Sequence, residues 1–210
     1  MNHAAPKPDL GPALAALHAG RPVVIPTDTV YGVAADPHQP EAIEAIFRLK
    51  GRPETNPLPV LVASIEQARS ASADWPAAAA ALARAFWPGA LTIVAPKAEW
   101  IPANVVAGGE TVGLRMPDHA TTLALLEAFG GPLACTSANR SGEPPASTPD
   151  GIPAAWRASG VVIVETGACP GGAPSTVASI GADGAARVLR PGPISAEDLD
   201  RVIISAGRCQ

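Results

Sequence analysis

Ile25-Pro26-Thr27-Asp28-Thr29-Val30-Tyr31-Gly32, answered further on by Lys50-Gly51-Arg52-Pro53, decides how this chain is read. Val23–Ile25 is a short, wholly apolar strand that must stop at Pro26, which has no N–H for a ladder. Immediately past it stand a hydroxyl, a carboxylate and a second hydroxyl (Thr27, Asp28, Thr29), then the only tyrosine, Tyr31. Pro40 to Leu49 reads as a helix with Ile43, Ile46 and Phe47 on one face. Beyond it, Gly51 bends and Pro53 fixes the backbone, so Lys50 and Arg52, two apart on an extended turn, project to the same side. Arg offers a fork and Lys a point charge to phosphate oxygens. Taken alone, the cations are equally a solvated pair, and Thr27–Thr29 equally turn residues. Their adjacency favours a site for an anionic, phosphate-bearing ligand beside a small polar partner.

Composition narrows the class. The 210 residues are expected to form a single domain over 1–210, with its core at about 10–195. The apolar fraction is 47%, much of it alanine, and aromatics are only 4%, so the core is aliphatic. A net charge of −4 argues against a broad nucleic-acid face but leaves room for a local basic pocket. Twenty-four prolines and 20 glycines fall between apolar runs and read as turns. Cys135, Cys169 and Cys209 show no paired spacing, as expected of thiols in a reducing compartment. No apolar run approaches the length of a membrane helix, and the N-terminus lacks a leader's apolar segment, so a cytoplasmic protein is expected.

Along the chain, Asp9 caps a helix from Leu10 to Ala19, stopped by Gly20. Pro57–Val62 is a strand, Ser64 and Gln67 form a capping box, and Pro76–Phe86 is an alanine-rich helix. Strands follow at Leu91–Ala95 and Val112–Arg115, across a loop from 96 to 110. His119–Phe129 is a helix and Leu133–Thr136 a strand. A polar, proline-rich loop and a weak helix at Ile152–Ala158 lead to strands Val161–Glu165, Thr176–Ile180 and Ala186–Leu189. Ser195 caps a last helix to about Ser205. Helices alternate with strands early and strands crowd together late, which predicts an α/β (α+β) fold with a twisted mixed parallel and antiparallel sheet and flanking helices.

Four strands end in polar or charged residues: Thr27-Asp28-Thr29, Arg115, Thr136-Ser137-Ala138-Asn139 and Arg190-Pro191-Gly192. Ligands gather where strand ends meet loops, although Ser137 and Asn139 also suit caps and Asx turns. Gly171-Gly172-Ala173-Pro174-Ser175-Thr176 lacks the lysine of a Walker loop but can present N–H donors to an anion. No Gly-x-Ser-x-Gly elbow occurs, and His3, His18, His38 and His119 do not fall at metal-ligand spacings. Such a set favours catalysis by positioning and charge stabilisation.

Pro26-Thr27-Asp28-Thr29-Val30-Tyr31-Gly32, Lys50-Gly51-Arg52-Pro53, Thr136-Ser137-Ala138-Asn139-Arg140-Ser141-Gly142, Ser175-Thr176-Val177 and Arg190-Pro191-Gly192, in that order, make the chain resemble the YrdC-like family of threonylcarbamoyl-AMP synthases, in its single-domain form. The resemblance implies that L-threonine, bicarbonate and ATP yield threonylcarbamoyl-AMP and pyrophosphate. Mg2+ would sit on the ATP phosphates, and a downstream transferase would carry the product to N6-threonylcarbamoyladenosine in tRNA. It further implies that Lys50 and Arg52 are the catalytic pair on the phosphates. Thr29, Arg115, Ser137 and Ser175 would hold threonine, and Asn56, Thr111, Asn139, Ser147 and Arg190 would complete the ATP site. Leu61 stands where some relatives place a histidine, and Ala178-Ser179 where many have Val-Asp. The alternative reading is a double-stranded RNA or tRNA-binding module without synthase activity, which the net charge disfavours. A carbamoyl-transfer domain of the hydrogenase-maturation type would need a longer chain and paired cysteines.

Overall fold

The computed structural model describes residues 8–171 and 173–207. The N-terminal segment with His3, together with Gly172 and Cys209, lies outside the described residues. Among the described residues one nine-stranded sheet organises the chain. Its first strand, β1 (Val23–Ile25), pairs antiparallel with β2 (Gly32–Ala35), Ile25 opposite Gly32. The Pro26–Tyr31 segment is therefore the loop of a hairpin. β2 has no counterpart among the strands expected from sequence. Gly-Val-Ala-Ala is buried on both faces, so it shows no alternation, and alanine and glycine carry little strand preference.

The remaining strands are β3 (Val60–Leu61), β4 (Leu91–Pro96), β5 (Thr111–Arg115), β6 (Leu133–Ser137), β7 (Val162–Ile163), β8 (Thr176–Ile180) and β9 (Ala186–Arg190). Their order is β7-β1-β2-β6-β3-β5-β4-β8-β9. The β1–β7, β3–β5 and β4–β8 pairs are parallel and the others antiparallel, the mixed sheet expected from the element pattern. β3 and β7 are shorter than expected. Pro57 and Pro59 withhold N–H donors ahead of β3.

Helices cover both faces. α1 (Gly11–His18) and α5 (Ala120–Phe129) lie on one. There Ala13, Leu17, Leu125 and Leu126 pack on Val23, Ile25, Ala34, Leu133 and Cys135. On the other lie α2 (Pro40–Lys50), α4 (Ala77–Phe86) and α7 (Ala196–Gly207). Their Ile43, Ile46, Leu82 and Leu199 join Val24, Val33, Val60, Ile93 and Leu114 in one core. Each fully buried Leu or Ile contributes about 1.5–3 kcal/mol. Two smaller helices, α3 (Ile65–Ser70) and α6 (Ala154–Ala158), close the loops. Capping follows the sequence with small displacements. Asp9 Oδ1 accepts from Gly11 N at 2.9 Å, one residue outside the N-cap position. Ser64 Oγ accepts from Gln67 N, while Gln67 Oε1 reaches back to Ala63 N rather than to Ser64. Ser195 Oγ accepts from Asp198 N at the start of α7.

Candidate functional site

Period-two alternation prepares the site. β4 and β5 send Leu91, Ile93, Val112 and Leu114 into the core and leave Thr92, Val94, Thr111, Gly113 and Arg115 on the other face. β8 and its approach do the same, with Ala178 inward and Ser175 and Val177 outward. This outward face is the floor of a cavity of about 510 Å³. One wall is the hairpin loop (Thr27, Thr29, Tyr31). A second is the end of β6 (Cys135, Thr136, Ser137) with Arg52 and Pro57. A third is β9, with Leu189 and Arg190.

The hairpin loop is wound around Thr27. Its hydroxyl donates to Val30 O at 2.6 Å and accepts from the N–H groups of Thr29 and Val30. Its proton being spent, the 3.0 Å contact with Thr29 Oγ1 makes Thr29 the donor. Thr29 Oγ1 then accepts from Arg115 Nη1 at 3.2 Å. Arg115 is fixed further by Gly89 O at 3.0 Å and by an ion pair with Asp28 at 2.6 Å. Both partners of that pair are nearly buried. Asp28 Oδ1 also accepts from Asp118 N. Tyr31, which sequence left between packing and site wall, does both. Its ring is fully buried against the cavity, and its hydroxyl donates to Gly167 O at 2.7 Å.

Ser175 Oγ meets Thr92 Oγ1 at 2.9 Å and accepts from Arg190 Nη2 at 3.1 Å. Arg190 also donates to Ser175 O. Arg52 donates to Thr136 Oγ1 at 3.4 Å and Pro57 O at 3.1 Å. Its buried Nε finds no partner among the described residues. Burial lowers the pKa of Arg52, with Arg190 adding repulsion, and burial lowers that of Arg190, with Arg115 adding to it. Three guanidiniums thus face one cavity whose lining contains no Asp, Glu or His. In a chain of net charge −4 this is a local concentration of positive charge, of the kind that attracts anions. Burial pushes the Cys135 thiol up to about 12, so it lines its wall as a neutral group.

Of the residues singled out in sequence, the cavity collects Thr29, Arg52, Thr111, Arg115, Ser137, Ser175 and Arg190. Asn56 and Ser147 are exposed and outside its lining. Lys50 and Asn139 are buried just behind the wall. The extended geometry expected for Lys50-Gly51-Arg52 does not occur, because Lys50 is the last residue of α2 and Gly51 takes the left-handed conformation. Arg52 consequently turns to the cavity while Lys50 turns to the segment after β6. Its Nζ donates to Ser137 O at 2.5 Å, Asn139 O at 2.9 Å and Asn139 Oδ1 at 3.2 Å. Burial draws the Lys50 pKa down to about 8, and Arg52 adds repulsion. Thr92 escaped the sequence reading, and Thr27 was read only as one of three polar residues past the first strand. The alternation Leu91-Thr92-Ile93 was the available signal for Thr92, whereas nothing local marked Thr27 as the hub of its loop.

The Sua5/YciO/YrdC family model, described as telomere recombination, matches residues 15–192. The chain is 40% identical over 197 residues to the threonylcarbamoyl-AMP synthase of Bacillus subtilis, covering 93% of this chain and 57% of that protein. A relative from Mycobacterium tuberculosis is 38% identical, over 91% of this chain and 87% of its own length. The structure of Pyrococcus abyssi Sua5 complexed with L-threonine superposes with a TM-score of 0.86 at 37% identity, covering 91% of this chain and 56% of that one. The chain therefore spans little more than half the length of the B. subtilis and P. abyssi proteins. With motifs, sheet order and cavity now in place, the chain belongs to the Sua5/YciO/YrdC family.

Proposed function

We propose that this chain is a threonylcarbamoyl-AMP synthase. L-threonine and bicarbonate give the N-carboxylated amino acid with loss of water. An oxygen of that carbamate attacks the α-phosphate of ATP, and the β–γ unit leaves as pyrophosphate. The observation that carries the reading is one cavity in which threonine and serine hydroxyls lie among three guanidiniums, two of them without a carboxylate partner among the described residues. The names of the relatives support the same reading.

Thr29, Ser137 and Ser175 would surround the amino acid, and Arg115, immobilised by Asp28, would face its carboxylate. Arg52 and Arg190 would meet the phosphates, where fixed donors stabilise developing charge without reorganisation. The residues hold the two reactants in line rather than supplying a nucleophile. The lining has no carboxylate or imidazole, and no cluster of metal-ligating side chains occurs among the described residues. An Mg2+ ion would arrive on the triphosphate, where it would supply charge neutralisation. We further infer that the adenylate passes to a tRNA-modifying transferase and that the setting is cytoplasmic. No helix of the described residues is long and apolar enough to cross a membrane.

The test is conversion of ATP to pyrophosphate by the purified chain. Pyrophosphate should form only when both threonine and bicarbonate are present, with carbon from labelled bicarbonate entering the adenylate. Release that ignores threonine overturns the proposal.

A further inference from the structure

Lys50 belongs to the motif that sequence places on the phosphates, yet its amine faces elsewhere. The residue is 3% exposed and is not among those lining the cavity. An ammonium has three N–H donors, and three oxygens occupy them: Ser137 O, Asn139 O and Asn139 Oδ1. The two carbonyls converge because the chain turns tightly after β6, with Asn139 N donating to Ser137 O at 3.0 Å. Carbonyls gathered in a buried turn are costly without a donor, and Lys50 is that donor. The backbone of Lys50 joins in, its carbonyl accepting from Ser141 N at 2.8 Å.

Asn139 extends the hold. Its Nδ2 donates to Arg140 O at 2.8 Å and Glu143 O at 2.6 Å. Ala146 O then accepts from Tyr31 N at 2.8 Å, which ties the loop to the hairpin. The segment so held delivers Ser137 and Pro145 to the cavity.

We propose that Lys50 is a positioning residue: it fixes the turn at residues 137–139, and through it the Ser137 wall of the cavity, and reaches no phosphate itself. The identity of the ligands rests on the synthase reading above; the positioning role does not. Arg is no substitute here, since a planar fork cannot direct three donors to oxygens grouped around one point, whereas at a phosphate contact Arg would serve well.

The experiment compares the full chain with Lys50→Met and Lys50→Arg, using amide hydrogen exchange and direct titration of ATP and of threonine. Both variants should show exchange at Ala138, Asn139 and Ser141 raised about tenfold or more while β4 and β5 keep their protection, as in a local opening. Both should bind ATP within about threefold of the parent with the same salt dependence, and bind threonine about tenfold more weakly. Normal exchange at those three amides together with an about tenfold loss of ATP affinity in Lys50→Met, restored by Lys50→Arg, overturns the proposal. If Lys50→Met does not fold, Lys50→Arg decides by the same three readouts. None of these measurements needs turnover, so an absence of synthase activity would sink the functional reading while the exchange data still decide the role of Lys50.

Discussion

At the residue scale, burial decides which charges matter. The Asp28–Arg115 pair is 13% and 8% exposed at its side chains, against 49% and 40% for Glu165 and Arg157. Removing one partner of a buried pair strands the other, which typically costs about 3–5 kcal/mol, while an exposed pair is worth about 0.2–1 kcal/mol. Asp28→Ala should therefore lower stability in denaturant titrations by about 3 kcal/mol, and weaken threonine binding because Arg115 loses its alignment. Glu165→Ala should move stability by less than about 1 kcal/mol. Lys50 gives a pH signature. Its folded pKa of about 8 lies below the ordinary lysine value of 10.5, so between these values the unfolded chain holds the proton that the folded chain has released. Stability then rises with pH across that window, and the fully charged form below it is the less favourable one. Denaturant titrations from about pH 7.5 to 10 should show the parent gaining on Lys50→Met as pH rises; a constant gap would refute the depressed pKa. Strand-end reasoning located Thr29, Arg115, Ser137 and Arg190 from sequence, and the glycine-rich segment located Ser175. The two-residue spacing gave Lys50 the wrong direction because one left-handed residue at Gly51 separates two cations that a linear motif holds together.

At the element scale, the fold class was legible because most helices and strands carry their own period, and β2 was not because both its faces are buried. Its first residue shows how closely these strands meet. A Cβ at Gly32 would lie 2.5 Å from Cys135 Sγ, whereas at Gly192 it would lie 2.3 Å from Thr176 N and 2.5 Å from Pro174 O. The first clash is with a side chain and can be relieved; the second is with backbone beside Ser175 and cannot. Gly32→Ala should cost about 1–3 kcal/mol from overpacking. Combined with Cys135→Ala it should recover most of that loss, giving a coupling in thermal or denaturant unfolding far from additive. Additive losses would show that strand separation, not the sulfur, limits the position. The shortness of β3 follows from Pro57 and Pro59, which stand in the sequence, whereas nothing in Val161–Glu165 marks where the pairing of β7 with β1 ends.

At the scale of the whole molecule, three guanidiniums, buried at Arg115, half-buried at Arg52 and exposed at Arg190, line one cavity in a chain of net charge −4. Their attraction for a polyanion is local and subject to screening. ATP affinity measured by calorimetry should fall steadily as salt rises from about 0.05 to 0.5 M, while the affinity for threonine, a zwitterion, should change little. Equal sensitivity of both would place threonine, too, in a purely electrostatic site. The order of the sheet has a temporal consequence. The cavity joins Thr27 and Thr29 from the beginning of the chain to Ser175 and Arg190 near its end, with β6, β5 and β4 between them. A ribosome must therefore release the chain through Arg190 before the cavity can form, and contacts of such long sequence separation close slowly. Once closed, an occupied cavity cross-links the first hairpin to the last one non-covalently, adding about 2.7 kcal/mol when ligand stands at about 100 times its dissociation constant. Metabolite supply would then govern the lifetime of the newly made protein as well as its turnover.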